Sequence, residues 1–227
     1  PTAKSNTFMP HSFLERCFIR SKTNTVFTRD QITATHLQKH RISSHFYGNI
    51  MMDHLTCNRK LPHHQSNEKI IGILPGSRDE SIPNCIHILT VIETLSKIAS
   101  FPMYFCIAAA ASFDLNKVHN IEKWTLTQSN DKTTLTHQTA NIVVHITYDF
   151  LAVINQSDLI IGLAGTANEQ AIELGNTVIC FPGFGPQSSL KRFREQQKLM
   201  GNQLIICQDR SSQTIAQLCL THLNKKN

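Results

Sequence analysis

From residue 69 onward the chain alternates short apolar runs with stretches of helical period. The apolar runs fall at residues 69–74, 103–108, 141–146, 158–163, 177–181 and 203–206. Between them, apolar positions recur every three or four residues at 82–99, 148–155, 166–174, 188–200 and 211–223. Runs apolar on both faces, separated by helices, predict a parallel sheet covered on both sides. The expected fold class is therefore α/β, a Rossmann-like doubly wound sheet. In such sheets ligands bind beyond the carboxyl ends of the strands, which directs attention to the residues that follow each apolar run. Residues 116–138 are polar and Thr-rich without a clear period, and the expectation there is loop with at most one weak strand.

Upstream the pattern is sparser. Residues 1–23 show no sustained period and read as a loosely held segment. A β-rich run at 25–28, a helical stretch at 30–40 and a second β run at 44–47 end at a Gly48-Asn49 break. Residues 56–68 turn polar, with Pro62 and the pair His63-His64, as a connection between structural units does. The reading is thus a first segment over 1–47, a connector over 48–68 and the α/β domain over 69–227.

Composition narrows the classes. Hydrophobic residues make up 41% and charged residues 17% of 227, a core-forming balance rather than that of disorder. The longest apolar stretch, residues 103–111, is far short of the roughly 20 that span a bilayer, and no signal segment opens the chain. A cytoplasmic protein is expected. The seven cysteines are scattered without a C-x-x-C pair and sit mostly in apolar runs, so buried reduced thiols are expected. A net charge of +6 favours an anionic partner. Dispersed basic residues and only 7% aromatics argue against nucleic acid. His36 and His40 share a helix face, but no Cys or carboxylate completes a metal-ligand set with them or with His63-His64. The phosphate loop of ATPases, the dinucleotide-binding glycine motif and the serine-hydrolase elbow are all missing.

Three strand-end loops carry the candidate chemistry. The first, Pro75-Gly76-Ser77-Arg78-Asp79-Glu80, follows the run at 69–74 and precedes a long helix. Gly76 lets backbone approach a ligand, free N–H groups at the helix start favour an anion, and the planar Arg78 cation can grip two phosphate oxygens. A tight turn with Arg78 paired to Asp79 or Glu80 fits the same residues. In the second loop, Ala164-Gly165-Thr166-Ala167 leaves room over a helix N-terminus; Thr166 can cap it, and Glu169, one turn on, can face sugar hydroxyls. A Thr166–Glu169 capping box is the competing use. The third, Pro182-Gly183-Phe184-Gly185-Pro186-Gln187, presents Gln187 as a neutral donor and acceptor suited to hydroxyls. Three Gly-bearing loops at one sheet edge are more specific than any one.

The segments ILPGSRDE and LAGTANEQAIELGNTVICFPGFGPQ together resemble the donor-half signatures of the lipid-A-disaccharide synthase family, in particular its divergent synthase-related branch. VFTRDQITATHL, FYGNIMMDHL and FREQQKLMG are similar to further segments of that branch, so the resemblance runs from about Val26 to Gly201. It implies a GT-B type inverting glycosyltransferase built from two Rossmann-like domains, of which this chain is the C-terminal, UDP-sugar-binding half preceded by a remnant of the acceptor domain. Carried over, Gly76, Ser77 and Arg78 face the diphosphate, Gly165 and Thr166 pack against it, Glu169 binds ribose or hexose hydroxyls, and Gln187 contacts the sugar. The resemblance further implies a UDP-N-acetylhexosamine donor, no cofactor or metal, a lipid-linked or glycan acceptor, peripheral contact with the inner face of the membrane, and a catalytic base in the other domain. On that reading the chain alone transfers nothing. A UDP-GlcNAc 2-epimerase-like isomerase half on the same architecture, or a non-catalytic UDP-sugar-binding protein, fits the same loops.

Overall fold

The structure, a computed structural model, describes residues 10–53, 55, 60, 61, 64–119 and 121–225. The chain divides into two compact units, Pro1–Leu55 with Lys198–Gly201, and Thr56–Gln197 with Asn202–Asn227.

Among the described residues the first unit opens on helix α1 (Phe13–Lys22), within the segment expected to be loosely held. Its start is fixed by a capping box: the Ser12 N–H donates to Glu15 Oε2 at 2.6 Å, and the Glu15 N–H donates to Ser12 Oγ at 3.4 Å. Phe13, Leu14, Cys17 and Phe18 recur along one face of it at helical spacing, yet none of its residues is buried. Strand β1 (Val26–Phe27), helix α2 (Gln31–Lys39) and strand β2 (Ser44–His45) follow as a small βαβ unit, with Val26 paired in parallel to Ser44. Asp30 caps α2 by accepting the Thr33 N–H at 2.7 Å. Ala34, Leu37 and Ile42 are buried beneath it, and the buried Ser44 hydroxyl donates to the Ala34 carbonyl at 2.9 Å.

The second unit carries the alternating pattern. Its elements are β3 (Lys69–Leu74), α3 (Ser81–Ile98), β4 (Met103–Ala108), α4 (Leu115–Val118), β5 (Trp124–Gln128), β6 (Thr133–His137), β7 (Val143–Thr147), α5 (Phe150–Gln156), β8 (Leu159–Gly162), α6 (Thr166–Glu173), β9 (Val178–Cys180), α7 (Leu190–Met200), β10 (Leu204–Ile206) and α8 (Ser212–Asn224). The sheet order is β10-β9-β8-β3-β4-β7-β6-β5. Six strands, β3, β4, β7, β8, β9 and β10, are parallel, in register through Ile71↔Phe105, Ile107↔Ile146, Ile73↔Ile161, Ile161↔Ile179 and Ile205↔Ile179. Numbered among themselves they run 3-2-1-4-5-6, the doubly wound Rossmann order. Ile71, Ile73, Ile107, Ile160 and Ile161 have essentially no exposure. Burying each such side chain is worth about 1.5–3 kcal/mol, which is why unbroken apolar runs form central strands.

Two antiparallel strands extend this sheet and correct the loop expectation for 116–138. β5 pairs with β6 and β6 with β7. Trp124 Nε1 donates to Glu93 Oε1 of α3 at 3.1 Å, and the His137 ring meets Trp124 edge-on at 5.1 Å. β-branched threonines suit such an edge hairpin, but its exposed positions dilute the apolar signal.

Helix α3 buries Ile82, Cys85, Ile88, Leu89, Val91, Ile92 and Leu95, a helical stripe that includes the contact with α8. Cys85 and Cys219 are fully buried, and burial pushes each thiol up to about 12, as it does for Cys106. Cys180 and Cys207 are also buried, whereas Cys17 is exposed; Cys57 lies outside the described residues. Among the described residues, no helix is long and apolar enough to cross a membrane.

Candidate functional site

The strand order fixes where a ligand site belongs. β3 has β4 on one side and β8 on the other, so the chain winds outward from β3 and β8 in opposite directions. Right-handed crossovers running opposite ways place the following helices on opposite faces and leave a crevice beyond the carboxyl ends of β3 and β8. The first loop leaves β3, the second leaves β8 and the third leaves β9, so all three lie at adjacent positions on one edge.

In the first loop Gly76 takes φ of +105°, a conformation that a Cβ would oppose. The point where its Cβ would stand is 3.8 Å from the Leu163 carbonyl, so the first two loops touch. Ser77, Arg78 and Asp79 are exposed, and the Ser77 carbonyl accepts the Ser112 hydroxyl at 2.5 Å. The Arg78 carbonyl accepts the Ser81 N–H at 2.8 Å and closes the turn into α3. Among the described residues neither Asp79 nor Glu80 forms an ion pair with Arg78. Glu80 is the N-cap of α3 and makes no side-chain cap bond.

In the second loop Gly165, not Thr166, is the N-cap of α6, and no side chain caps it. The Thr166–Glu169 capping box is therefore absent: Thr166 is already the first helical residue, where its hydroxyl is too far advanced to serve as a cap. Thr166 is exposed. Glu169 lies one turn into α6 as its spacing predicts, yet it is 2% exposed and its Oε1 accepts from Gln196 Nε2 at 3.3 Å. Both helices that open at the crevice thus start without a side-chain cap; the first N–H groups of α6 carry the partial positive charge that favours an anion, whereas in α3 the Ser81 N–H is taken by the Arg78 carbonyl and Pro83 has none.

The third loop joins the second. A Cβ on Gly165 would stand 3.5 Å from Gln187 Oε1, so the Gln187 side chain lies against the Gly165 backbone. Behind them, Asn84 and Ser188 hold the three loops together. Asn84 is fully buried on the first turns of α3; its Nδ2 donates to the Pro75 carbonyl at 3.2 Å, and its Oδ1 accepts the Phe184 N–H at 2.7 Å. Ser188 Oγ donates to the Leu163 carbonyl at 2.8 Å. One side chain thereby ties the first loop to the third, and the other ties the third to the second.

Neither Asn84 nor Ser188 was singled out from sequence, nor was Gln196. For Asn84 a signal existed: a lone amide on the apolar stripe of α3, flanked by Ile82 and Cys85, must find buried partners. Ser188 offered none, because an isolated polar residue after a loop reads as solvated; Gln196 lies in the FREQQKLMG segment that carries the resemblance, but on so charged a helix its amide reads as solvated too. Beside Phe184 a shallow hollow of about 450 Å³ is lined by Pro83, Ile86, His87, Thr90 and Arg210, with the Arg210 guanidinium 4.8 Å over the Phe184 ring. It is bordered by loops from the β9–β10 side of the sheet and does not involve the loop after β8. Among the described residues, no group of three or more His, Cys, Asp or Glu is placed to hold a metal ion.

No protein-family profile and no curated protein matches the sequence. Solved structures do. The chain is similar to a candidate UDP-N-acetylglucosamine 2-epimerase of Listeria monocytogenes, with a TM-score of 0.61 at 12% identity over 94% of this chain and 54% of that one. It is similar to the UDP-GlcNAc 2-epimerase of Neisseria meningitidis bound to UDP-GlcNAc, with a TM-score of 0.58 at 15% identity over 93% of this chain and 55% of that one. S. aureus MnaA in complex with UDP gives a TM-score of 0.55 at 13% identity over 91% and 53%. The chain thus spans about half the length of each. At these identities the likeness is one of fold, a Rossmann-like doubly wound α/β domain.

Proposed function

We propose that this chain is the nucleotide-binding half of a two-domain GT-B protein whose ligand is a UDP-sugar. The observation that carries the reading is the meeting of three Gly-bearing loops at the switch point, tied together by Asn84 and Ser188 beside two uncapped helix N-termini. Arg78 and Ser77 face the diphosphate, and the α6 N-terminus at Gly165 and Thr166 packs against it. Glu169 serves the hydroxyls of ribose or hexose, and Gln187 the sugar. The α6 N-terminus and the exposed Arg78 guanidinium suit a diphosphate without a metal ion.

Two reactions fit a UDP-sugar held this way. Epimerisation at the sugar C2 is favoured by the matched structures, two of which are described as 2-epimerases. Sugar transfer to a lipid-linked or glycan acceptor is favoured by the motif series ILPGSRDE, GTANEQA and FPGFGPQ. We take the epimerase-like isomerase as the first reading and the lipid-A-disaccharide synthase-like transferase as the second. In both, the carboxyl edge of this domain holds UDP and stabilises its charge, while the facing domain supplies the acid–base groups. Proton NMR of UDP-GlcNAc incubated with the protein extended by its facing domain separates them. A second UDP-N-acetylhexosamine signal without free UDP supports isomerisation, and UDP release that requires a lipid extract supports transfer. No change of UDP-GlcNAc under either condition overturns both.

A further inference from the structure

Gln196 stands on α7, 27 residues beyond Glu169, yet its side chain reaches the second loop. It is 2% exposed, and its Nε2 donates to the Gly165 carbonyl at 3.1 Å and to Glu169 Oε1 at 3.3 Å. An amide nitrogen has two hydrogens, so both acceptors are served at once. The Gly165 carbonyl also accepts the Asn168 and Glu169 N–H groups at 3.2 and 3.4 Å, the first bonds of α6. Gln196 therefore grips both the peptide that starts the helix and the one carboxylate in its first turn.

The other end of the amide shows what the residue is for. Those two acceptors fix which way it points, and its Oε1 is left buried with no hydrogen-bond partner among the described residues. Burying an unpartnered acceptor is costly, and a leucine or methionine would fill the space without that cost. A residue kept only for packing would avoid it. Half-satisfied buried polar groups are expected where function sets the choice.

We infer that Gln196 is a positioning residue of the nucleotide site: it holds Glu169 and the Gly165 peptide in fixed relation, so that the seat for the diphosphate and the carboxylate for the hydroxyls are presented together. This rests on the UDP-sugar reading above. It also gives α7 a part in the site.

The test is a double-mutant cycle in UDP-GlcNAc affinity, read by calorimetry with thermal unfolding as the control. Gln196→Leu and Glu169→Ala are each expected to weaken binding about tenfold, the loss typical of one charge-assisted hydrogen bond. The double variant is expected to lose little more than Glu169→Ala does, because Gln196 acts through that carboxylate. Gln196→Met, with an unbranched stem of similar length, carries the same test if the leucine variant unfolds. If the unsubstituted chain binds UDP-GlcNAc but the Gln196 variants bind equally well, or the two losses multiply, the UDP-sugar reading stands and the positioning role is overturned. Unfolding of both Gln196 variants makes the residue structural and likewise overturns it. If the unsubstituted chain does not bind, both readings fall together.

Discussion

Asn84 and Phe184 lie 100 residues apart, yet the Asn84 amide brackets the Phe184 peptide: its Oδ1 accepts the Phe184 N–H at 2.7 Å and its Nδ2 donates to the Phe184 carbonyl at 3.4 Å. The third loop is shaped by the first turns of α3 rather than by its own two prolines alone. Since Nδ2 also donates to the Pro75 carbonyl, one buried amide sets the spacing of two loops across the crevice.

Asn84→Ala is expected to destabilise the second unit by about 1–3 kcal/mol, since it strands the buried Pro75 carbonyl and removes the partner of the part-buried Phe184 N–H. Urea denaturation measures the loss. UDP affinity is expected to fall with it, because the third loop is released from the first. An unchanged midpoint would mean that the network is incidental.

Arg78→Ala is expected to weaken UDP binding about tenfold or more while leaving uridine binding nearly unchanged, because the guanidinium is assigned to phosphate. Its exposure makes the substitution neutral for folding. Equal losses for the two ligands would move Arg78 away from the diphosphate.

The doubly wound sheet was legible in the chain because central strands such as β3 and β8 are buried on both faces, which leaves nearly every position apolar. The β5–β6 hairpin was not, since an edge ribbon exposes Thr125, Thr127 and Thr136 and breaks the period. Nor was α1, whose apolar positions Phe13, Leu14, Cys17 and Phe18 keep helical spacing over too short a span to stand out from its polar flanks. The loops that bear Gly76, Gly165 and Gln187 were legible because glycines directly after buried strands mark turns. Thr166 was misjudged by one position: with Gly165 as N-cap, the familiar Thr-x-x-Glu pattern starts one residue too late to cap. Ser188 and Gln196 act across 25 and 27 residues, and such long-range hydrogen bonds leave no trace in local pattern, whereas Asn84, acting across 100, stands out only as a lone amide on an apolar stripe.

His87 gives the second unit a pH dependence with a definite sign. Burial lowers its pKa, with the Arg210 charge adding to the effect, although Nε2 donates to the Arg210 carbonyl at 2.9 Å. The folded state therefore binds fewer protons than the unfolded one. Its contribution is intact above the unfolded value of about 6.5 and is lost as pH falls below it. Comparing thermal midpoints at pH 8 and pH 5.5, His87→Gln is expected to lose less on acidification than the unsubstituted chain. An equal or larger loss would contradict this.

The central claim, that the edge formed by the three loops holds a UDP-sugar, is tested most directly by calorimetric titration of the chain with UDP, UDP-GlcNAc and ATP. The account predicts saturable heat with both uridine ligands and much weaker binding of ATP. No heat with either uridine ligand at millimolar concentration, or equal binding of all three, would contradict it.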